Sequence, residues 1–268
     1  MSHILSLSYG KDSIACIHVI RDVLGWPLDR IVHAEVWATP TIPADLPPMV
    51  QFKAKADAII KERWGIDVEH TWATCVDGVR ADKVTYEDVF YKTMTAGKYI
   101  GSIKGFPMSF GNWCTKLKLA AIPKAHGDDV TYLGIAADEP ERIERHINRP
   151  NIKLPLVESR WDEAMCRKWC EDNDLLSPIY TDSARGGCWF CYYQGVDQLR
   201  LLRRDYPEYW ALLLKWDLDS PTTFKPDGHT VHDYEERFKL EDQGLIRADD
   251  KWYWGYIKDR EIQLRMDF

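Results

Sequence analysis

Ser8-Tyr9-Gly10-Lys11-Asp12-Ser13 is the stretch whose residue types and spacing point most directly to chemistry. It follows a short β-prone run, His3 to Ser8, and precedes a segment with helical spacing, Ile14 to Leu24. A glycine at that junction permits a tight turn. The helix start aims free N–H groups and a partial positive charge into it, which makes an anion site suited to phosphates. Lys11 adds a point charge, and Ser8 and Ser13 add hydroxyl donors. Asp12 is placed to cap the helix or to hold Mg²⁺ with the phosphates. The loop is not a Walker A motif: Asp12 follows Lys11, and Leu5 stands where the earlier glycine belongs. A polar strand–helix turn with no ligand accounts for the same six residues equally well.

The seven cysteines are the second chemical feature. Reduced thiols in a chain of this kind more often serve a metal or catalysis than disulfides. Cys188 and Cys191 form a CxxC after Gly186 and Gly187, a spacing that lets two thiolates reach one metal. Cys166 and Cys170 share a helix face at i, i+4. Cys16 and Cys75 read as small buried hydrophobes. Among the eight histidines there is no HxxxH or HExxH pattern. His3, His33 and His70 fall in strand-like segments as core or edge residues, and His229 and His232 in a surface turn.

Those groups need elements to hold them. In the first half, strands at His3–Ser8, Ile31–Thr39, Asp67–Cys75 and Val130–Ala136 alternate with helices at Ile14–Leu24 and Met49–Trp64. This alternation predicts an α/β fold with a parallel sheet covered by helices on both faces. Beyond about residue 150 the pattern turns helical: Arg160–Asp174, Gln194–Lys215 as a pair or one interrupted helix, and Val231–Glu241. We therefore expect a nucleotide-binding α/β domain over 1–150 and a cysteine-containing, mainly helical extension over 151–268 packed on it.

Composition sets outer limits. The 268 residues carry 35 Lys+Arg against 42 Asp+Glu, a net charge of −7. Hydrophobic residues at 45% and charged ones at 29% are ordinary for a soluble globular chain, which excludes disorder as the main state. The acidic balance argues against a whole-surface nucleic-acid binder while leaving room for a local basic groove. No run of about 18 apolar residues exists, so neither a membrane span nor a membrane partner is expected, and cytoplasmic residence is the default. Two stretches carry weaker nucleic-acid signals. Trp252 to Tyr256, between Lys251 and Lys258, has rings that could stack on bases but reads better as a terminal segment docked on the core. Arg200 to Asp205 reads equally as a phosphate contact or a polar helix face.

The loop resembles the SGGKDS-type pyrophosphate (PP) loop of the adenine nucleotide alpha-hydrolase superfamily, with Tyr9 in place of one glycine. Three further segments follow in the same order. Asn112-Trp113-Cys114-Thr115-Lys116-Leu117-Lys118 resembles the family's CT..LK segment. Leu133-Gly134-Ile135-Ala136-Ala137-Asp138-Glu139, with Arg142 and Arg145, resembles its GIR..E...R segment. Leu154-Pro155-Leu156, Trp161 and Gly187-Cys188-Trp189-Phe190-Cys191 resemble its PL..W…GC..C ending. Together they span residues 6 to 191, roughly 70% of the chain. On these motifs the chain is identified as a reductase-like member of the phosphoadenosine phosphosulfate reductase family, of the phage-associated sort.

The resemblance implies a Rossmann-like sheet with a small helical extension. Ser6, Ser8, Tyr9, Gly10, Lys11, Asp12 and Ser13 would hold the phosphates of ATP, or a related adenine nucleotide, with Mg²⁺. Val36 to Thr39 would lie against adenine. Gly134 would allow backbone approach to the nucleotide. Arg142 and Arg145 would clamp a phosphate or sulfate, unless they are only a solvated helix face with Glu139. Of Lys116 and Lys118, one would reach the site. Cys114, Cys188 and Cys191, with Cys170 as a fourth, would bind a 4Fe-4S cluster or a structural zinc.

Lys11 separates two chemistries. Sulfonucleotide reductases of the family lack this lysine and carry a C-terminal Glu-Cys-Gly-Leu-His nucleophile, whereas this chain's last cysteine is Cys191. Lys11 suits ATP cleavage between the α and β phosphates, where charge builds on departing pyrophosphate. The expectation is an enzyme that adenylylates an acceptor, coupled to iron–sulfur-dependent sulfur transfer. A phosphoadenosine phosphosulfate reductase and a non-catalytic nucleotide sensor are the alternatives. The acceptor is open among tRNA, DNA and a small molecule, and a homodimer is the default assembly.

Overall fold

The structure is a computed structural model and describes residues 1–107, 113–123, 127–180 and 187–249. The residues fall into two compact units, Met1–Cys191 and Tyr192–Phe268. The expected division at 150 lies inside the first unit, because the chain beyond it still contributes a strand and a packed helix to the sheet domain.

The first unit is an α/β fold built on a five-stranded parallel sheet flanked by helices. Its strands are β1 (His3–Ser6), β2 (Arg30–Ala34), β3 (Val68–Thr71), β6 (Val130–Leu133) and β7 (Ile152–Lys153); β4 (Cys75–Val76) and β5 (Val79–Arg80) form a separate antiparallel pair. The order β3-β2-β1-β6-β7 makes β1 the centre, paired with β2 on one side and β6 on the other. The strand order reverses at β1 and β6, so ligands are expected outside their carboxyl ends. Leu5 on β1 and Ile31 on β2 are fully buried, as expected for a sheet covered by helices.

Helix α1 (Lys11–His18) leaves β1 through the loop and ends in a π-helical turn, Val19–Val23. Its Ile14, Ala15, Cys16 and Ile17 have no exposed surface. Helix α2 (Pro47–Trp64) starts with prolines in its first turn and stops at Gly65, whose φ of 71° supplies the left-handed cap. Helices α3 (Tyr86–Phe90), α4 (Trp113–Ala121), α5 (Pro140–Glu144), α6 (Pro155–Glu158) and α7 (Glu163–Asp172) complete the unit, with a 3₁₀ turn at Pro178–Tyr180. Asp162 caps α7 by accepting the Met165 N–H at 2.7 Å. Helix α7 packs along α1, with Cys166 and Cys170 fully buried between them.

The second unit holds α8 (Val196–Asp205), α9 (Pro207–Asp219) and α10 (Val231–Asp242). Pro207, which cannot continue a helix from Asp205, divides the expected long segment into α8 and α9. Its own core includes Leu202, Leu213, Trp216, Phe224 and Phe238. Arg237, nearly buried, donates to Glu241 at 2.7 Å. The aromatic segment 252–256 lies outside the described residues. No described helix is long and apolar enough to cross a membrane.

Candidate functional site

The loop between β1 and α1 closes on itself through hydroxyls. Ser8 N–H donates to Ser13 Oγ at 3.2 Å, the two Oγ atoms lie 3.0 Å apart, and Ser13 Oγ donates to the Gly10 carbonyl at 3.0 Å. Gly10, not Asp12, is the N-cap of α1, and with no side chain it leaves the first helical amides uncapped. The Lys11 N–H instead donates to the Tyr180 hydroxyl at 3.2 Å. That phenolic oxygen meets an amide of the kind an anion would take at a helix start.

Lys11 is nearly buried, and its Nζ donates to both Asp12 oxygens at 2.9 and 3.0 Å and pairs with Glu163 at 3.1 Å. Burial alone would lower the Lys11 pKa, but the Asp12 and Glu163 carboxylates outweigh it and hold the pKa above the ordinary lysine value. Burial in turn pushes the Asp12 carboxyl above its usual range, in spite of Lys11. The Lys11 ammonium is thus held between the Asp12 and Glu163 carboxylates.

Gly134 follows β6, and a Cβ there would come within 2.6 Å of Ser13 Cα and 2.9 Å of the Asp12 carbonyl. The absence of a side chain at this position lets the start of α1 pack directly on the strand end. Ser6 is the last residue of β1, opposite Val32 and Leu133. Thr39 does not lie against the cleft: its Oγ1 accepts the Ile42 N–H at 3.1 Å and shapes the turn after β2. Val36 does line the cleft.

A cleft of about 380 Å³ opens beside the loop, lined among others by Ser8, Gly10, Val36, Lys53, Lys118 and Cys188. It joins the loop between β1 and α1, the chain after β2 and the CxxC turn within the first unit. Lys118 is thus the α4 lysine that reaches the cleft, while Lys116 pairs with Asp77 at 2.7 Å.

Cys114, Cys188 and Cys191 all lie within electrostatic range of the fully buried Tyr86. Cys191 N–H closes a turn onto the Cys188 carbonyl at 3.0 Å. Burial raises the Cys188 thiol pKa well above its usual value, against the opposing pull of Lys118. Burial, then Cys191, also raises the Cys114 thiol pKa. Three sulfurs from two elements are a donor set suited in kind to iron–sulfur or zinc. Among the described residues, no three His, Cys, Asp or Glu side chains are drawn to metal-ligand spacing. Cys170 does not join the set: its Sγ lies against the Lys11 carbonyl at 3.4 Å, behind the loop, because α7 packs on α1 there. Burial pushes its pKa up to about 12.

Arg142 and Arg145 are not brought to the cleft. Both are exposed; Arg142 donates to Glu139 at 2.7 Å, and Arg145 Nε to the Glu141 carbonyl at 3.0 Å. These are local pairings of one short helix.

Sequence reasoning missed a polar network beneath the loop. The Tyr9 hydroxyl donates to Asp57 on α2, and Asp57 accepts from His70 Nε2 at 2.8 Å. His70 Nδ1 donates to Glu35 at 2.9 Å. Lys53 Nζ donates to Asp45 and to His33 Nε2, both at 2.6 Å, while His33 Nδ1 donates to the Leu7 carbonyl at 2.8 Å. Hydrogen bonds donated to Asp57 and Glu35 raise the His70 pKa to about 9, whereas burial and then Lys53 lower that of His33 to about 4. His70 therefore carries two N–H donors and a charge, and His33 stays neutral. Periodicity carries no signal for such a network, since its members lie far apart in sequence.

No family model and no curated protein matches the chain. Among solved structures it is similar to the U34-tRNA thiolase NcsA from Methanococcus maripaludis with its 4Fe-4S cluster. The identity is 14% over 88% of this chain and 80% of that one, with a TM-score of 0.34.

Proposed function

We propose that this chain is an ATP-dependent PP-loop enzyme that adenylylates an acceptor in the course of sulfur transfer. One observation carries the reading: a single cleft is lined both by Ser8 and Gly10 of the loop and by Cys188. The uncapped amides at the start of α1 would receive the phosphates. An acceptor oxygen would attack the α-phosphorus as the bond to the β-phosphate breaks, and the leaving pyrophosphate would take the negative charge. Lys11, released from Asp12 and Glu163, would neutralise that charge as it develops. The acceptor then carries AMP as a leaving group for sulfur.

Cys114, Cys188 and Cys191 are the residues that would hold an iron–sulfur cluster, which when bound supplies a thiophilic iron for the incoming sulfur. Lys118, on the cleft wall, would attract an anionic acceptor. A tRNA fits that description, as does a small anionic metabolite.

The test is pyrophosphate release from Mg·ATP, with iron and sulfide analysis after anaerobic purification. Turnover that depends on Lys11 and an iron content that depends on Cys114, Cys188 and Cys191 are expected. Tight ATP binding with no release under any acceptor would leave a nucleotide sensor. Turnover of a sulfonucleotide in place of ATP would leave the reductase.

A further inference from the structure

The phosphate loop contains a residue that its backbone does not favour. Tyr9 has φ of 56°, in the left-handed region, and a bulky side chain there is an outlier. Such a residue persists where its surroundings over-determine it. Its surroundings are dense. The side chain has no exposed surface. Its hydroxyl donates to Asp57, 48 residues on in α2, and lies 3.2 Å from His70 Nε2 on β3. Its ring stands edge-on to His33 at 4.7 Å, and Lys53 Nζ sits over it at 5.4 Å from the centroid. His70 is itself held by Asp57 and Glu35. No other loop residue reaches beneath the loop in this way: Ser8 and Ser13 bond to each other and to Gly10, and Lys11 turns to Asp12 and Glu163.

We propose that Tyr9 is a positioning residue: its hydroxyl, bolted to Asp57 and His70, fixes the phosphate loop on α2 and β3 in its anion-receiving conformation before any ligand arrives. Tyr9 adjoins Gly10, and the loop's other braces are the Ser8–Ser13–Gly10 contacts, the Lys11 N–H to the Tyr180 hydroxyl, and the Lys11 pairs with Asp12 and Glu163. The Tyr9 side chain supplies the rigidity that those short contacts lack, and it keeps the Gly10 and Lys11 amides facing one way. The functional consequence rests on the nucleotide reading above, whereas the loop's order does not.

The experiment uses the full chain and the variants Tyr9→Phe, Asp57→Asn and their double mutant. Amide hydrogen exchange is followed without nucleotide over residues 8–14 and over β6 as a reference. Both single variants should speed exchange in the loop about tenfold with β6 unchanged, and the double mutant should add little, because both changes break one bolt. The Mg·ATP KM should rise about tenfold with kcat within about twofold, as for an interaction lost equally from ground and transition states. Unchanged loop exchange in Tyr9→Phe and Asp57→Asn overturns the proposal. So does an equal rise in the loop and β6, which would mean general loosening. If one variant fails to fold, the other reads the same contact. Faster loop exchange in a chain whose wild type releases no pyrophosphate supports the bolt and sinks the ATP reading.

Discussion

At the scale of single residues, the site turns on where Lys11 points. Its Nζ is held by Asp12 and Glu163. A lysine so held lowers the barrier only if phosphates take it from those carboxylates. Lys11→Ala should therefore reduce pyrophosphate release by at least about 100-fold, the scale of one electrostatic contact to a developing charge, with an unchanged circular dichroism spectrum. Gly134 makes a sharper test of packing. A methyl there meets the backbone of Ser13 at 2.6 Å, and backbone cannot swing away. Gly134→Ala should cost about 1–3 kcal/mol, read as a fall in Tm of several degrees, and should weaken nucleotide binding through the displaced start of α1. Tyr180 works in the opposite sense. Its hydroxyl accepts the Lys11 N–H that a phosphate would take. Tyr180→Phe should tighten pyrophosphate binding a few-fold, measured by calorimetry, because no internal acceptor then competes. The loop residues were legible in the sequence because glycine, lysine and hydroxyls between a strand and a helix have a direct physical meaning. Tyr180, Glu163 and the Tyr9 hydroxyl were not, since each acts across more than forty residues and by contact alone.

At the scale of elements, the sheet was readable wherever apolar runs were long: β1, β3 and β6 lie inside the expected strands, and β2 begins one residue earlier, at Arg30. β7 was missed because its two residues, Ile152 and Lys153, leave no period to detect. The expected second strand ran on to Thr39, but it ends at Ala34, and the chain then turns through the Trp37–Pro43 bridge. The histidines on β2 and β3 show what such elements conceal. His70 is raised to about 9, so its charged form is favoured by the fold. The stability it contributes is complete below its ordinary value of 6.5 and is lost as the pH rises through about 9. His33, lowered to about 4, favours its neutral form. Its contribution is complete above 6.5 and is lost as the pH falls toward 4. Together the two contributions peak near pH 6.5 and decline on either side of it. His70→Gln should remove the alkaline slope between pH 7 and 10, worth about 1–2 kcal/mol after allowing for solvent screening at a partly exposed ring. Thermal melts across that range, wild type against variant, read it directly; parallel slopes would mean that His70 is not the group that titrates.

At the scale of the whole molecule, every residue placed in the loop, the cleft and the thiol group belongs to Met1–Cys191. So does the core that supports them, from Leu5 on β1 through Ile60 on α2 to Leu175 after α7. The expected boundary near 150 would have cut that core, removing β7 and the α7 face that carries Cys166 and Cys170 against α1. A chain ended at 150 should thus fail to fold, while one ended at 191 keeps all five strands. Residues 192–249 hold buried apolar side chains and a nearly buried ion pair, Arg237 with Glu241; because Glu241 also accepts from Arg200 at 2.6 Å, Arg237→Ala should cost only about 1–3 kcal/mol. It follows that residues 1–191 expressed alone should melt cooperatively and bind Mg·ATP within about threefold of the full chain, since the loop, the cleft lining and the three thiols all belong to that unit. Calorimetry on the two proteins side by side makes the comparison. Binding lost from a folded 1–191 fragment would show that the nucleotide site needs groups from beyond residue 191, and the cleft beside Cys188 would then be only part of it.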